Sequence, residues 1–174
     1  MDDLALQNIF GALALAVSDG ILRGAGLRAP EPGPAAAAIA LIRHDPGISI
    51  EVLRRALPLS HPAAVRLVDR LASEGLVERR PSKDDRRAVA LYLTDDGEKS
   101  CDAILGERQN SLAAALRTLD AKERQMLGVL SRKLLADMIG SVEDAYCTCR
   151  LCDAAVCASC PVDAALQQTA ITNG

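Results

Sequence analysis

The chain has 174 residues, 49% of them hydrophobic but only 2% aromatic, and a formal net charge of -3. That length suits one domain with an extension, and the core must be built from Leu, Ala, Val and Ile, a helix-forming palette. With only Phe10, Tyr92 and Tyr146 as aromatics, binding of single strands or RNA by base stacking is disfavoured. No run of 18 or more apolar residues stands out, so no membrane span is expected. The start, "MDDLALQNIF", lacks the basic region of a secretory signal, which points to a cytoplasmic chain with reduced thiols.

Apolar residues at Leu4, Ile9, Phe10, Leu13 and Val17 predict a helix over about 4–22, ended by the Gly/Pro-rich "GAGLRAPEPGP". Pro34 opens a short helix, "AAAAIALIRH", and "DPGIS" turns the chain. Ser49 is placed to cap "IEVLRRAL", and "PLS" makes a tight turn. Ser60 is placed to cap a longer helix that stops at Gly75. In that helix Ala64, Leu67, Val68 and Leu71 fall on one stripe at i, i+3, i+4 and i+7, leaving Ala63, Arg66 and Arg70 on the other face. "LVERR", the polar "PSKDD" and the alternating "AVALYLT" predict a β-hairpin. After Thr94 come two long helices, about 95–119 and about 120–142. The second opens with Asp120 and Glu123 at capping-box spacing. Beyond Val162 little pattern is visible.

Charge is segregated along this order. Residues 54–87 carry nine Lys or Arg against five Asp or Glu, whereas the remainder is acidic. A basic middle suits a polyanion, and acidic flanks suit parts that stay off it.

A short helix, a tight turn, a longer helix and a basic hairpin are the parts of a winged helix-turn-helix. Its second helix fits the DNA major groove, with N-terminal residues at the base edges. Here that end offers Ser60, His61, Ala63 and Arg66, with Arg70 one turn further on. The hairpin tip offers Lys83, Asp85, Arg86 and Arg87. An arginine on a thin ribbon can enter the narrow, electronegative minor groove. No Ser-His-Asp order, phosphate-binding glycine loop or pocket-like carboxylate pair supports an enzyme. Cys101 reads as a small buried apolar residue, with a reactive sensor thiol as its alternative, and His44 as a loop or capping histidine.

The stretch "LSHPAAVRLVDRLASEGLVERRPSKDDRRAVALYLTDDG" resembles the DNA-binding core of the MarR family of bacterial transcription regulators. The resemblance covers roughly residues 5–145 and is strongest over 48–97. It implies a mainly α fold with a small β-hairpin wing, that is, a winged helix-turn-helix plus a helical dimerisation domain. On that template residues 1–30 are an N-terminal dimerisation helix, 34–97 the DNA-binding domain, 98–145 dimerisation helices and 146–174 a cysteine-rich metal-binding tail. The resemblance further implies a homodimer on a pseudo-palindromic duplex operator. Asp85 would orient Arg87 in the minor groove, and release would follow a small-molecule effector or an oxidant.

The tail holds five of the six cysteines, in "CTCRLCDAAVCASCP". Cys149-x2-Cys152-x4-Cys157-x2-Cys160 supplies four thiolates at tight spacing, with Cys147 as a spare. Four thiolates suit an iron–sulfur cluster or a tetrahedral zinc. The preferred reading is an iron–sulfur cluster that senses redox or iron status, because it would give a regulator a signal. A structural zinc in a ligand-responsive regulator and a small electron-transfer protein on a winged scaffold are the alternatives. The tail resembles one found in a subset of the same family. Following directly on the second long helix, it is expected to act through the dimerisation domain.

Overall fold

A computed structural model describes residues 2–82 and 89–172, with side chains through residue 167. Among these residues the order is α1 (Asp3–Arg28), α2 (Ala35–His44), α3 (Ile50–Ala56), α4 (His61–Ser73), β1 (Val77–Pro81), β2 (Val89–Leu93), α5 (Asp95–Leu116), α6 (Ala121–Asp137), α7 (Val142–Cys149) and α8 (Pro161–Thr172). The fold is mainly α with a two-stranded antiparallel wing, as the sequence predicts.

Local chemistry sets the helix starts. Ser49 Oγ accepts from the Val52 amide, Ser60 Oγ from Ala63 and Thr94 Oγ1 from Gly97, at 3.2, 3.4 and 3.0 Å. Asp120 and Glu123 close a reciprocal capping box. Each cap satisfies an amide that the helix leaves without a partner, stabilising it by about 1 kcal/mol.

Packing then assembles the winged lobe around α2, in which every residue from Ala35 to Ile42 is buried. It contacts α1, α5 and β2. The predicted stripe of α4 (Ala64, Leu67, Val68 and Leu71) is buried as well. Each of the larger side chains contributes about 1.5–3 kcal/mol on burial. The wing pairs Val77 with Leu93 and Arg79 with Leu91. Residues 47–49 lie along β2 as a short third segment. The Gly47 amide donates to the Leu91 carbonyl at 2.8 Å, and the Leu91 amide to the Ile48 carbonyl at 3.0 Å.

Expectations in three parts of the chain need correction. First, α1 does not end near residue 22 but runs to Arg28. Gly24 and Ala25 are buried where α1 meets α5, and a Cβ at Gly24 would come within 3.0 Å of Ser111 Oγ. The small residues thus serve helix packing, and the break begins only at Ala29. At 26 residues and a mean hydropathy of 1.5 over its most apolar stretch, α1 is long and apolar enough to cross a bilayer, contrary to the expectation that no helix would be.

Second, α6 stops at Asp137 rather than near Val142. Ser141 Oγ accepts from the Asp144 amide at 3.1 Å, and Asp144 Oδ2 accepts from the Gly140 amide at 3.2 Å, so a new helix begins there. Third, the tail has structure of its own. Ile139, Ala145, Cys149, Val162 and Ala165 form a second small core, against which Leu135 and Ala136 of α6 pack.

The start of α5 lies against the start of the wing. A Cβ on Gly97 would stand 2.1 Å from the Leu76 carbonyl oxygen. Gly97→Ala is therefore expected to destabilise the chain by about 1–3 kcal/mol through overpacking. Gly106→Ala, in open space on the same helix, should leave stability unchanged or raise it by up to about 1 kcal/mol. Chemical denaturation of the two variants beside the parent chain checks the contrast.

Candidate nucleic-acid interface and cysteine centre

The helix-turn-helix is α3, the turn 57–60 and α4. Burial of the α4 stripe turns its opposite face outward, where Ser60, His61 and Arg66 are exposed and Ala63 half-buried. Ser60 is committed through its hydroxyl to capping. Arg66 has no ion-pair partner among the described residues, so its guanidinium is available to a base edge or a phosphate. Arg70 is differently placed. It pairs with Glu31 at 2.6 Å, which ties α4 to the α1–α2 connection.

Other arginines around this face are held by carboxylates. Glu51 accepts two hydrogen bonds from Arg54 and one from Arg55, and these hold its carboxyl down at about 2. Arg79 on β1 pairs with Asp69 on α4 at 2.5 Å. Arg80 pairs with Glu78 and lies over the Tyr92 ring, 4.6 Å from its centroid. Lys83, Asp85, Arg86 and Arg87, the predicted wing tip, lie outside the described residues.

Cys101 is fully buried, and burial pushes its thiol up to about 11. A thiol so protonated is a poor nucleophile, which favours its reading as core packing.

The tail cysteines divide into two groups. Cys149 ends α7, and the chain turns back so that the Cys152 amide donates to the Cys149 carbonyl at 2.8 Å. The two thiols also share a hydrogen bond. It raises the Cys149 thiol strongly and lowers that of Cys152 to about 6, and the positive charge of Arg108 adds to the latter effect. Of the two thiols, Cys152 is therefore the first to ionise. Cys160, just before α8, packs against the same small core. Cys157 is exposed and stands outside that cluster, and Cys147 points its sulfur at the Arg55 carbonyl, 3.9 Å away. Among the described residues no three Cys, His, Asp or Glu side chains are drawn into a finished metal site. The donor chemistry nevertheless suits a thiophilic metal: three sulfurs gather at one small core, and one of them is already poised as thiolate.

The tail does not rest only on α6, the helix it follows. It also docks on the winged lobe. α7 packs on α3, Arg55 pairs with Glu143 at 3.4 Å, and the Tyr146 hydroxyl donates to Asp45 Oδ2 at 2.5 Å. Burial and that bond push the Tyr146 phenol up to about 12. Sequence reading missed these contacts because they span about a hundred residues.

This arrangement defines a winged helix-turn-helix protein with a cysteine-bearing tail. Residues 32–88 match the family model described as "MarR family". The transcriptional repressor MprA of Escherichia coli (strain K12) is 36% identical over 81 residues, which are 47% of this chain and 46% of that protein. A cysteine-to-serine mutant of MarR from E. coli, solved in complex with operator DNA, superposes with a TM-score of 0.54 at 28% identity, covering 78% of this chain and 99% of that one. A MarR family protein from Bacillus stearothermophilus shares the fold, with a TM-score of 0.65 at 22% identity over 79% and 98% of the two chains. The likeness to the MarR family lies over the winged lobe, residues 32–88. It spans about half the length of the curated relatives it matches.

The thiol pair has a measurable signature. In metal-free protein the alkylation rate of Cys152 should rise through about pH 6 and then level off, because the thiolate is fully formed above its pKa. Cys101 should stay unmodified in the folded chain. Site-resolved mass spectrometry after iodoacetamide pulses across the pH range checks both.

Proposed function

We propose that this chain is a DNA-binding transcription regulator, a repressor rather than an enzyme, that works as a homodimer on a pseudo-palindromic operator. The observation that carries the reading is the outward face of α4, where Arg66 stands unpaired among the described residues beside small and polar neighbours, on a helix seated by its opposite stripe. In this reading α4 enters the major groove and Arg66 reads a base edge or holds a phosphate. Arg87 reads the adjacent minor groove by shape and potential, by analogy with the family. MarR of E. coli, whose mutant was solved with operator DNA, supports the analogy.

Dimerisation is supported by unpartnered apolar surface. No residue of α6 is buried, and Met126, Leu127, Val129 and Leu130 are exposed. On α1, Leu6, Ile9, Phe10 and Leu13 are each at least half-exposed. A second copy covering these faces accounts for a spacing of two lobes by one helical turn of DNA.

In the same reading, the tail cysteines hold a metal centre: an iron–sulfur cluster, with zinc as the alternative. Cys149, Cys152 and Cys160 supply three sulfurs, and by sequence spacing Cys157 would be the fourth. When bound, a cluster supplies redox sensitivity and zinc supplies only folding energy. The residues of the chain do the coupling, because α7 carries the centre onto α3 through Arg55–Glu143 and onto the end of α2 through Tyr146–Asp45. A ligand-responsive variant of this reading has its own observation. A cavity of about 500 Å³ lies between α1, α5 and the tail, lined by Val17, Ile21, Leu22 and Leu151 with Arg108 and Arg150, which would suit an amphipathic anion.

Binding to a duplex selected from a randomised pool tests the DNA reading. Arg66→Ala should relax preference at one or two base positions by about 1–3 kcal/mol. Arg87→Ala should weaken binding across sequences and flatten its salt dependence. Unchanged binding in both variants would remove the basis for the assignment. For the dimer, light scattering at micromolar concentration should give twice the chain mass, and Leu127→Glu with Leu130→Glu should give a monomer.

A further inference from the structure

Cys149 and Cys152 stand at the two ends of one turn. Cys149 closes α7, and the Cys152 amide donates to the Cys149 carbonyl at 2.8 Å. A turn closed by that bond holds its end Cα atoms within about 7 Å, which is the reach of a disulfide. Both side chains are turned the same way, since Cys149 belongs to the small tail core and Cys152 packs against it. The two sulfurs are therefore neighbours that need no rearrangement of the chain to be joined.

They differ in what can reach them. Cys149 is only 7% exposed, and the cavity of about 240 Å³ that it lines holds the carboxylates of Asp45 and Asp163. Cys152 is half-buried and opens on the cavity of about 500 Å³ between α1, α5 and the tail. That cavity is apolar apart from Ser18, Thr148, the sulfur itself and two guanidiniums, Arg108 and Arg150. Arg150 donates to the Cys147 carbonyl. Arg108 is half-buried and has no hydrogen-bond or ion-pair partner among the described residues. A smaller cavity on the other side of Cys152, of about 180 Å³, mixes Arg43 with Asp153. An anion is thus drawn to the large cavity beside Cys152 and repelled from the one beside Cys149.

We propose that Cys152 and Cys149 are the attacking and the resolving thiol of a dithiol site for exchange with small anionic disulfides, which dock against Arg108 in the cavity of about 500 Å³. The Cys152 sulfur, as thiolate, attacks one sulfur of the incoming disulfide. That S–S bond breaks, one small thiolate leaves, and a mixed disulfide forms on Cys152. Cys149 then loses its proton and attacks the Cys152 sulfur, and the second small thiolate leaves. The two cysteines are oxidised to one disulfide, the small disulfide is reduced, and the two protons end on the two small thiols. This reaction is independent of the DNA and dimer readings. It belongs to the metal-free chain, since it consumes two of the sulfurs that a metal would need. The new bond locks the turn that follows α7, the helix packed on α3.

The test uses the full chain, freed of metal by chelation and reduction and then kept anaerobic. The probes are glutathione disulfide, which carries net negative charge, and cystamine, which is cationic. Wild type with glutathione disulfide should release two glutathiones per chain, and peptide mapping should find Cys149 joined to Cys152. Cys149→Ala should stop at the mixed disulfide, with one glutathione held on Cys152. Cys152→Ser should form no disulfide at Cys149. Arg108→Ala should slow the reaction with glutathione disulfide by about tenfold and leave that with cystamine no slower. Circular dichroism checks that each variant keeps its helices. Should Cys149→Ala lose them, acid quenching of wild type at early times should show the same intermediate on Cys152. A disulfide mapped to another pair, no disulfide at all, or a first glutathione found on Cys149 overturns the dithiol assignment. Slowing of both probes alike by Arg108→Ala, or of neither, overturns the docking of anions in the cavity.

Discussion

An alanine-rich helix buried on every side is the constraint around which this chain is assembled. With almost no aromatic residues, the core cannot be filled by a few large side chains. Elements must approach closely instead, and α2 permits this because five of its buried residues are alanines. Its neighbours meet it from several directions: α1 and α5 from the helical side, β2 from the wing side. The angle of α4 and the position of the wing follow from that seat. Gly24 and Gly97 serve the same economy, since each lies where a Cβ would strike a neighbouring element.

The cysteine tail extends the same body. Its three clustered sulfurs sit on a core of only a few residues, too small to be stable alone, and contact with α3, α5 and α6 supplies the remainder. Its neighbours push the Cys152 thiol down, with Arg108 among the causes, which makes it the tail's readiest nucleophile. Because α7 sits on α3 of the helix-turn-helix, a change at the sulfurs has a short path to α4.

Much of the winged lobe was legible in the residues. Ser49, Ser60 and Thr94 cap where hydroxyls precede helical periodicity, and the Ala64–Leu71 stripe is buried as its spacing requires. These are short-range effects, decided within one or two turns of chain. The misjudged boundaries have one cause. Glycines at 24 and 26 read as a break because glycine weakens an isolated helix, yet packing against α5 more than offsets that cost. The end of α6 was missed because a local bond network at Gly140, Ser141 and Asp144 overrides an apolar pattern that continues past it.

By itself, the sequence determined the element types, the caps, the basic winged segment with its family likeness, and the presence of a dense thiol cluster. Each of these is written in residues close together along the chain, where propensity and spacing act directly. Only the tertiary structure decided which thiols gather, that Arg70 is tied to Glu31, and that the tail rests on α3 and on Asp45. The Arg70–Glu31 tie and the contacts of the tail join residues from about forty to about a hundred positions apart. They depend on how buried faces orient whole helices, which no local pattern encodes.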